Sequence, residues 1–248
     1  MYAFFVFYIG AVFGSYINLV KVRTIRQEST IFPRSHCDSC GKQLKAIELL
    51  PIFSYLIQKG RCRSCGSKIG RDSLTTEIIC GGLALLSLGF EINLGSIIIF
   101  FSFLLSLLIS LIDCETMDIY SKHLLILAGL GLVYRFIYLG FTRVFISNYL
   151  IFSLIYGMIF KLSRENIGNG DYYFYLSLGL FLHDSDFVLF ILLSIWMGGF
   201  VGIIILIKTR KLGNKMPFAI FIFLSYLILY LLNRGLFLWE KKRKDLAL

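Results

Sequence analysis

The chain has 248 residues, 57% hydrophobic and 16% charged, with a mean hydropathy of +0.78 and a formal net charge of +10. Soluble domains carry about 25% charged residues, so the composition excludes an ordinary soluble domain. Repeated apolar runs near 20 residues indicate a polytopic membrane protein instead. The positive charge reads as Lys and Arg in cytoplasmic loops beside anionic lipid, and no nucleic-acid partner is expected. Three prolines and one dominant polar segment favour a helical bundle over a barrel.

The first apolar span covers residues 2–20. No basic residue precedes it, and Lys21, Arg23 and Arg26 follow it. A cleavable signal peptide has the opposite arrangement, so the expectation is a retained helix whose C-terminal end is cytoplasmic. Gly10, Gly14 and Ser15 give it a small-residue face suited to helix packing.

Residues 21–75 form the one sizeable polar segment, with eleven Lys/Arg against four Asp/Glu, and are expected to be cytoplasmic. A short unit is repeated within it: Cys37-Asp38-Ser39-Cys40-Gly41 and Cys62-Arg63-Ser64-Cys65-Gly66. C-x-x-C-G is a tight knuckle that points two thiolates at one centre, the glycine taking a turn that a side chain obstructs. Two knuckles supply four thiolates, a set that suits Zn²⁺ and leaves no open position for catalysis. Cys37, Cys40, Cys62 and Cys65 are therefore assigned to a structural zinc site, with His36 outside it. Pro51 and the apolar run 49–57 are expected to lie against the membrane. Cys80 and Cys114 read as small apolar fillers.

Further spans follow at 76–91, 96–112, 123–140, 145–160, 172–182, 187–207 and 217–238. The chain is thus expected to be an all-α polytopic membrane protein with about eight transmembrane helices and a small cytoplasmic zinc-ribbon-like domain. Its parts are the first helix (1–20), the four-cysteine loop (21–75), a membrane bundle (76–239) and a basic tail (240–248). Residues 172–182 are few for a span, which needs about 20. If they cross, the loop 208–216 is inside and the tail outside; otherwise the two exchange. Each carries four Lys/Arg, so charge does not decide.

Alternation of spans puts Asp113 and Asp171 at one cytoplasmic membrane face. Asp171 closes Ile167-Gly168-Asn169-Gly170-Asp171, where Gly168 and Gly170 permit close backbone approach. Carboxylates at such a boundary are costly without a partner. Two of them at one depth fit a paired-carboxylate protease, in which like charges share one proton and together activate water. No G-x-S-x-G or H-E-x-x-H offers other hydrolytic machinery. The same residues admit other readings: Asp171 as a helix N-cap and Asp113 paired with Lys122 in a non-enzymatic assembly factor with a zinc-ribbon docking module, or a proton-coupled carrier using Asp113 and Asp171.

In sequence order the chain also resembles the bacterial type IV prepilin peptidases, membrane aspartyl proteases of the GxGD type. The likeness is carried by Gly14-Ser15-Tyr16-Ile17-Asn18-Leu19-Val20 with Arg23, by the double C-x-x-C loop enclosing residues 48–56, and by Glu77. It continues through Ile112-Asp113, Gly168-Asn169-Gly170-Asp171 and Met216-Pro217-Phe218. Three positions depart from the family pattern: Tyr120-Ser121 stands where Pro-Asp is usual, Tyr173 where a lysine follows the second aspartate, and Ala219 where a glycine follows Pro-Phe.

The resemblance implies that Asp113 and Asp171 are catalytic, with Gly168 and Gly170 supporting them. It implies cleavage of a prepilin or pseudopilin leader after a glycine, at the cytoplasmic face of the bacterial cytoplasmic membrane. It also implies N-methylation of the new terminus with S-adenosylmethionine, for which the sequence shows no Rossmann-type fingerprint. The family's eight-helix plan makes 172–182 a short crossing and places the basic tail outside. Neither the sequence nor the resemblance assigns residues to the cofactor or gives an oligomeric state.

Overall fold

A computed structural model of the chain describes residues 1–32, 34–89, 91–162, 168–210 and 216–245, with side chains to residue 234. Ile167 and the polar run before it, residues 211–215 of the basic loop, and the tail residues 246–248 lie outside the described residues. The helices are α1 (Tyr2–Ile25), α2 (Phe53–Ile57), α3 (Arg71–Leu88), α4 (Leu94–Thr116), α5 (Ser121–Tyr134), α6 (Arg143–Leu162), α7 (Asn169–Gly179), α8 (Phe187–Thr209) and α9 (Ala219–Asp245). A 3₁₀ turn covers Ala46–Leu49, and a π-helical turn, Arg135–Leu139, continues α5. Among the described residues the only extended pairing is two isolated antiparallel bridges. The all-α expectation holds.

Five helices are long and apolar enough to cross a membrane: Tyr2–Ile25, Leu94–Thr116, Ser121–Leu139, Arg143–Leu162 and Phe187–Thr209. The other three of the eight expected spans do not reach that standard among the described residues. The 18 residues of α3 include Arg71, Asp72 and Glu77. Helix α7 has 11 residues, and the apolar part of α9 is Ala219–Arg234. Apolar runs that looked alike in sequence thus differ in how much of each is helix free of charge.

The chain divides into two compact units, Met1–Leu104 and Leu105–Leu248. In the first, α1 packs along α3 through small residues. A Cβ on Gly10 would come within 2.4 Å of the Cys80 carbonyl and 2.6 Å of Ala84 Cβ, and one on Gly14 within 2.7 Å of Glu77 Cα. Only glycine permits this approach, and Cys80 and Ala84 are fully buried beneath it. Tyr2 closes the pair by donating its hydroxyl to the Leu88 carbonyl.

The apolar run between the two knuckles folds back beside these helices. The Phe53 ring lies 6.0 Å from that of Tyr8, which stands 12 residues, about 18 Å, before Val20. Buried Glu77 receives the Ile52 N–H at 2.7 Å and the Ser73 hydroxyl at 3.0 Å. Ile52 has φ 64°, a conformation a β-branched residue rarely adopts. Phe53 thus stands beside the N-terminal half of α1, within the span expected at residues 2–20.

In the second unit the helices run between two ends. One holds the C-terminal turn of α4 and the N-termini of α5, α7 and α9. At the other, the Arg135 guanidinium is enclosed: Nε donates to Gly140 O at 2.9 Å, Nη1 to Leu182 O at 2.8 Å and Nη2 to Asp184. Its planar face lies 3.7 Å from the Phe145 ring centroid. Asp184 also accepts from Thr142, while Asn148 donates to the Asp184 carbonyl. This clamp fixes where the chain leaves α7, so residues 171–182 pass from one end of the unit to the other.

Candidate active site and metal centre

The four-cysteine loop is a repeat in three dimensions as well as in sequence. Each knuckle is closed by an antiparallel bridge, His36 with Gln43 and Arg61 with Lys68. In each, the glycine N–H donates to the carbonyl of the first cysteine, Gly41 to Cys37 at 2.8 Å and Gly66 to Cys62 at 2.9 Å. Both glycines have positive φ, 68° and 71°, with open space where a Cβ would be. The backbone conformation, rather than crowding, demands glycine there.

The sulfurs of Cys37, Cys40, Cys62 and Cys65 all lie within 4.8 Å of one another. Cys37 and Cys65 are 3.9 Å apart, close to the separation of about 3.8 Å that 2.3 Å bonds to a tetrahedral zinc require. Backbone N–H groups of Cys40 and Ser39, with the Ser67 hydroxyl, pull the Cys37 thiol down to about 6, so it is readily a thiolate ligand. The donor set fits zinc, and no ion is part of the structure. His36 is exposed and turned to the Arg34 carbonyl, outside the cluster as expected. Beside this loop a second cavity, about 550 Å³, brings Arg23, Arg34 and Lys45 next to Tyr16 and Leu19.

Asp113 lies in the last turn of α4 and is buried. Its Oδ2 accepts the Ala219 N–H at 3.0 Å, and the Phe218 N–H donates to the same carboxylate. One turn earlier on the same face, the Ser110 hydroxyl donates to the Ala219 carbonyl at 3.1 Å. Asp113 therefore anchors the N-terminus of α9, where free N–H groups and the helix dipole favour a negative charge. No Asp113–Lys122 ion pair occurs among the described residues; the Lys122 ammonium stands over the Tyr120 ring instead.

Asp171 is half-buried in the first turn of α7, whose N-cap is Gly168. The helix thus begins earlier than a cap at Asp171 would place it. The carboxylate lies within electrostatic reach of Asp113, Tyr156 and Tyr175. What brings α7 so near is Gly170: a Cβ there would come 2.8 Å from Ile119 Cβ, in the loop that follows Asp113. Gly168 has φ −67° and, among the described residues, nothing within 4 Å of where a Cβ would stand, and its carbonyl accepts the Tyr156 hydroxyl at 2.8 Å. The two glycines do different things, and neither is needed for a left-handed turn.

Asp171, Gly168 and Phe218 sit at one end of a cavity of about 760 Å³ walled by α6 and α8. On α6 its lining is the stripe Asn148, Ile151, Phe152, Ile155, Tyr156 and Ile159, at helical i, i+3, i+4 spacing. Phe218 links the two features: its N–H holds Asp113, and its ring lines the cavity against Gly198, where a Cβ would meet it at 2.5 Å.

Two family models match the chain. Residues 8–89 match the Bacterial Peptidase A24 N-terminal domain, and residues 98–203 match the Type IV leader peptidase family. The chain belongs to the type IV leader peptidase family. It is similar to proteins named prepilin leader peptidase/N-methyltransferase in several bacteria. The Myxococcus xanthus protein is 29% identical over 87% of this chain and 66% of its own length, just under two thirds. The Bacillus subtilis protein is 26% identical over 91% and 92%, and the Pseudomonas aeruginosa protein 29% over 76% and 68%. No solved structure matches the chain.

The leader peptidase segments noted in sequence gain geometry here. The segment that opens the last helix supplies the N–H donors to Asp113, and Ala219, a departure from the pattern, is one of them. Glu77 holds the loop between the cysteine pairs. The second departure, Tyr173, is exposed. Cys80 is the buried filler expected, whereas Cys114 is exposed and is not. Gly198 and Arg135 were missed in sequence, where each looked like an ordinary residue of an apolar run.

Proposed function

We propose that this leader peptidase family member removes the leader from type IV prepilins or pseudopilins, with Asp113 and Asp171 as its catalytic pair. The observation that carries the reading is that α4 and α7 each bring a carboxylate to one end of the second unit, where the charge of Asp113 is felt at Asp171. Like charges that close share a proton. Two backbone N–H groups and a helix N-terminus serve Asp113, which makes it the better bearer of the charge. Asp171, beside Tyr156, Tyr175 and the apolar cavity, is then the proton carrier. Asp113 takes a proton from water, the oxygen attacks the peptide carbonyl, and Asp171 protonates the carbonyl oxygen; Asp113 then gives its proton to the amide nitrogen as the C–N bond breaks, and Asp171 takes back the hydroxyl proton as the new carboxyl group forms.

The site is read at the cytoplasmic face of the bacterial cytoplasmic membrane, with the cut after a glycine that precedes the pilin's apolar helix. The four cysteines hold a structural zinc. The relatives' names support a second activity, N-methylation of the new terminus, for which S-adenosylmethionine supplies the methyl group. The test is incubation of the purified protein with a prepilin, with and without S-adenosylmethionine, read by intact mass. Cleavage is expected in both and a methyl group only in the second. Asp113→Asn and Asp171→Asn should each fold and fail to cleave; cleavage by both variants overturns the pair.

A further inference from the structure

We propose that the cavity between α6 and α8 is the seat of the substrate's apolar helix, which it holds so that the chain preceding that helix reaches Asp171. The inference rests on the leader-peptidase reading and adds where the substrate is bound. The cavity has the size of a specific ligand site, which spans about 300–1,000 Å³. It is elongated along the helices: from Asn148 to Ile159 the α6 stripe extends about 16 Å at 1.5 Å per residue. That is the length of three helical turns. Among the described residues Asp171 is the only charged one that lines it, and it lies at the end where Gly168 and Phe218 also stand.

Three features select a helix as occupant. First, the walls are the faces of two membrane-length helices that the protein itself leaves uncovered: only 6% of the α6 span and 17% of the α8 span are buried, against 72% for α4. Second, the floor is the short helix α7, which contributes Asp171 and Tyr175 and leaves a recess between its longer neighbours. A row of side chains at i, i+3, i+4 and i+7 fits such a recess, as in other helix-in-groove complexes. Third, the recess runs continuously to the proposed catalytic carboxylate, so a helix seated in it points its N-terminal end at Asp171. Among the described residues no atom lies within 4 Å of a Cβ added at Gly168, at the end where the peptide preceding the helix would pass.

The test fills the groove without touching the aspartates. Ile155 and Ile195 line it and are about half exposed, so the fold accommodates Ile155→Trp and Ile195→Trp. Leu154, exposed on the same helix but outside the groove, gives the control Leu154→Trp. With a full-length prepilin in detergent, each filled variant is expected to raise KM about tenfold or more with kcat little changed, the mark of lost substrate binding. The control keeps the KM of the unmodified protein. With a prepilin peptide truncated before its apolar helix, filled and unmodified proteins should not differ. A photo-crosslinking residue at 155 or 195 in the Asp171→Asn protein should capture the prepilin helix at positions three or four apart. Unchanged KM in both filled variants, or crosslinks to lipid alone, overturns the groove while leaving the peptidase reading intact. Failure of the unmodified protein to cleave any prepilin overturns the peptidase reading, and the groove with it.

Discussion

A missing methyl group brings the two aspartates of this chain together. Gly170 lets α7 lie against Ile119, and a Cβ in its place would stand 2.8 Å from Ile119 Cβ, which cannot rotate away. Gly170→Ala is therefore expected to move Asp171 off the proposed pair and cut leader cleavage at least about tenfold, and Ile119→Gly should restore part of it. Gly168→Ala meets nothing among the described residues and is expected to leave the melting temperature unchanged. Activity and thermal unfolding of the three variants in detergent separate these outcomes; equal effects at the two glycines would contradict them. In sequence the two glycines looked equivalent, because G-x-G-D records their spacing and not their neighbours. The cysteine knuckles were legible for the opposite reason: their ligands and glycines are neighbours in the chain. Asp113 was legible as a carboxylate at a helix end, but its N–H donors stand 106 positions later, with no local pattern to mark them.

Among the elements, α7 is the one whose length was hardest to read, and its far end explains why it holds position. Eleven residues of helix leave the chain short, and the Arg135 clamp meets it through the Leu182 carbonyl and the Asp184 carboxylate. Arg135 is 1% exposed, so removing its partner leaves a buried charge unpaired, a loss of about 3–5 kcal/mol. Burial alone would raise the Asp184 carboxyl, but the Thr142 hydroxyl and the Arg135 guanidinium overcome it and hold it below the ordinary 3.8. A carboxylate depressed on folding contributes stability that is complete above its unfolded value, about pH 4, and is lost as pH falls through the lower folded value. The melting temperature is thus expected to drop below about pH 4 in the unmodified protein. Asp184→Asn should start lower at pH 7 and show less of that fall. Glu77 does comparable work on the loop between the knuckles. Glu77→Leu strands the Ile52 N–H, a penalty of about 1–3 kcal/mol. Limited proteolysis should open residues 50–57 in that variant and leave them protected in Glu77→Gln, which keeps an acceptor. Neither contact was visible in sequence, since each joins a turn to a helix residue 25 or 49 positions away.

For the whole molecule, composition was enough to give an all-α membrane protein, because apolar excess and run length are summed over many residues. The number of crossings was less legible, since hydropathy averages over windows longer than α7 and does not see where a helix ends. Within the second unit the directions of the helices bear on what the charge count left undecided. Residues 171–182 run from the aspartate end to the Arg135 end, α8 returns, and α9 starts at Asp113 and runs away from it. Asn233 of α9 donates to Asp186, which stands at the start of α8, so by residue 233 the chain has reached the Arg135 end. At 27 residues α9 extends about 40 Å, more than the hydrocarbon thickness of about 30 Å. Lys241, Lys242, Arg243 and Lys244 are therefore expected on the membrane side opposite the proposed active site, against the usual preference for basic residues inside. The preference is set chiefly by the loops of earlier helices, and eleven Lys/Arg in 21–75 outweigh four in the tail. A phosphatase fused after Leu248, active only outside the cytoplasm, is expected to be active. The same reporter fused after Lys161, at the end of α6 nearest Asp171, should be silent. A silent tail fusion would mean that α9 does not cross the bilayer, and that Asp113 and the tail share one face.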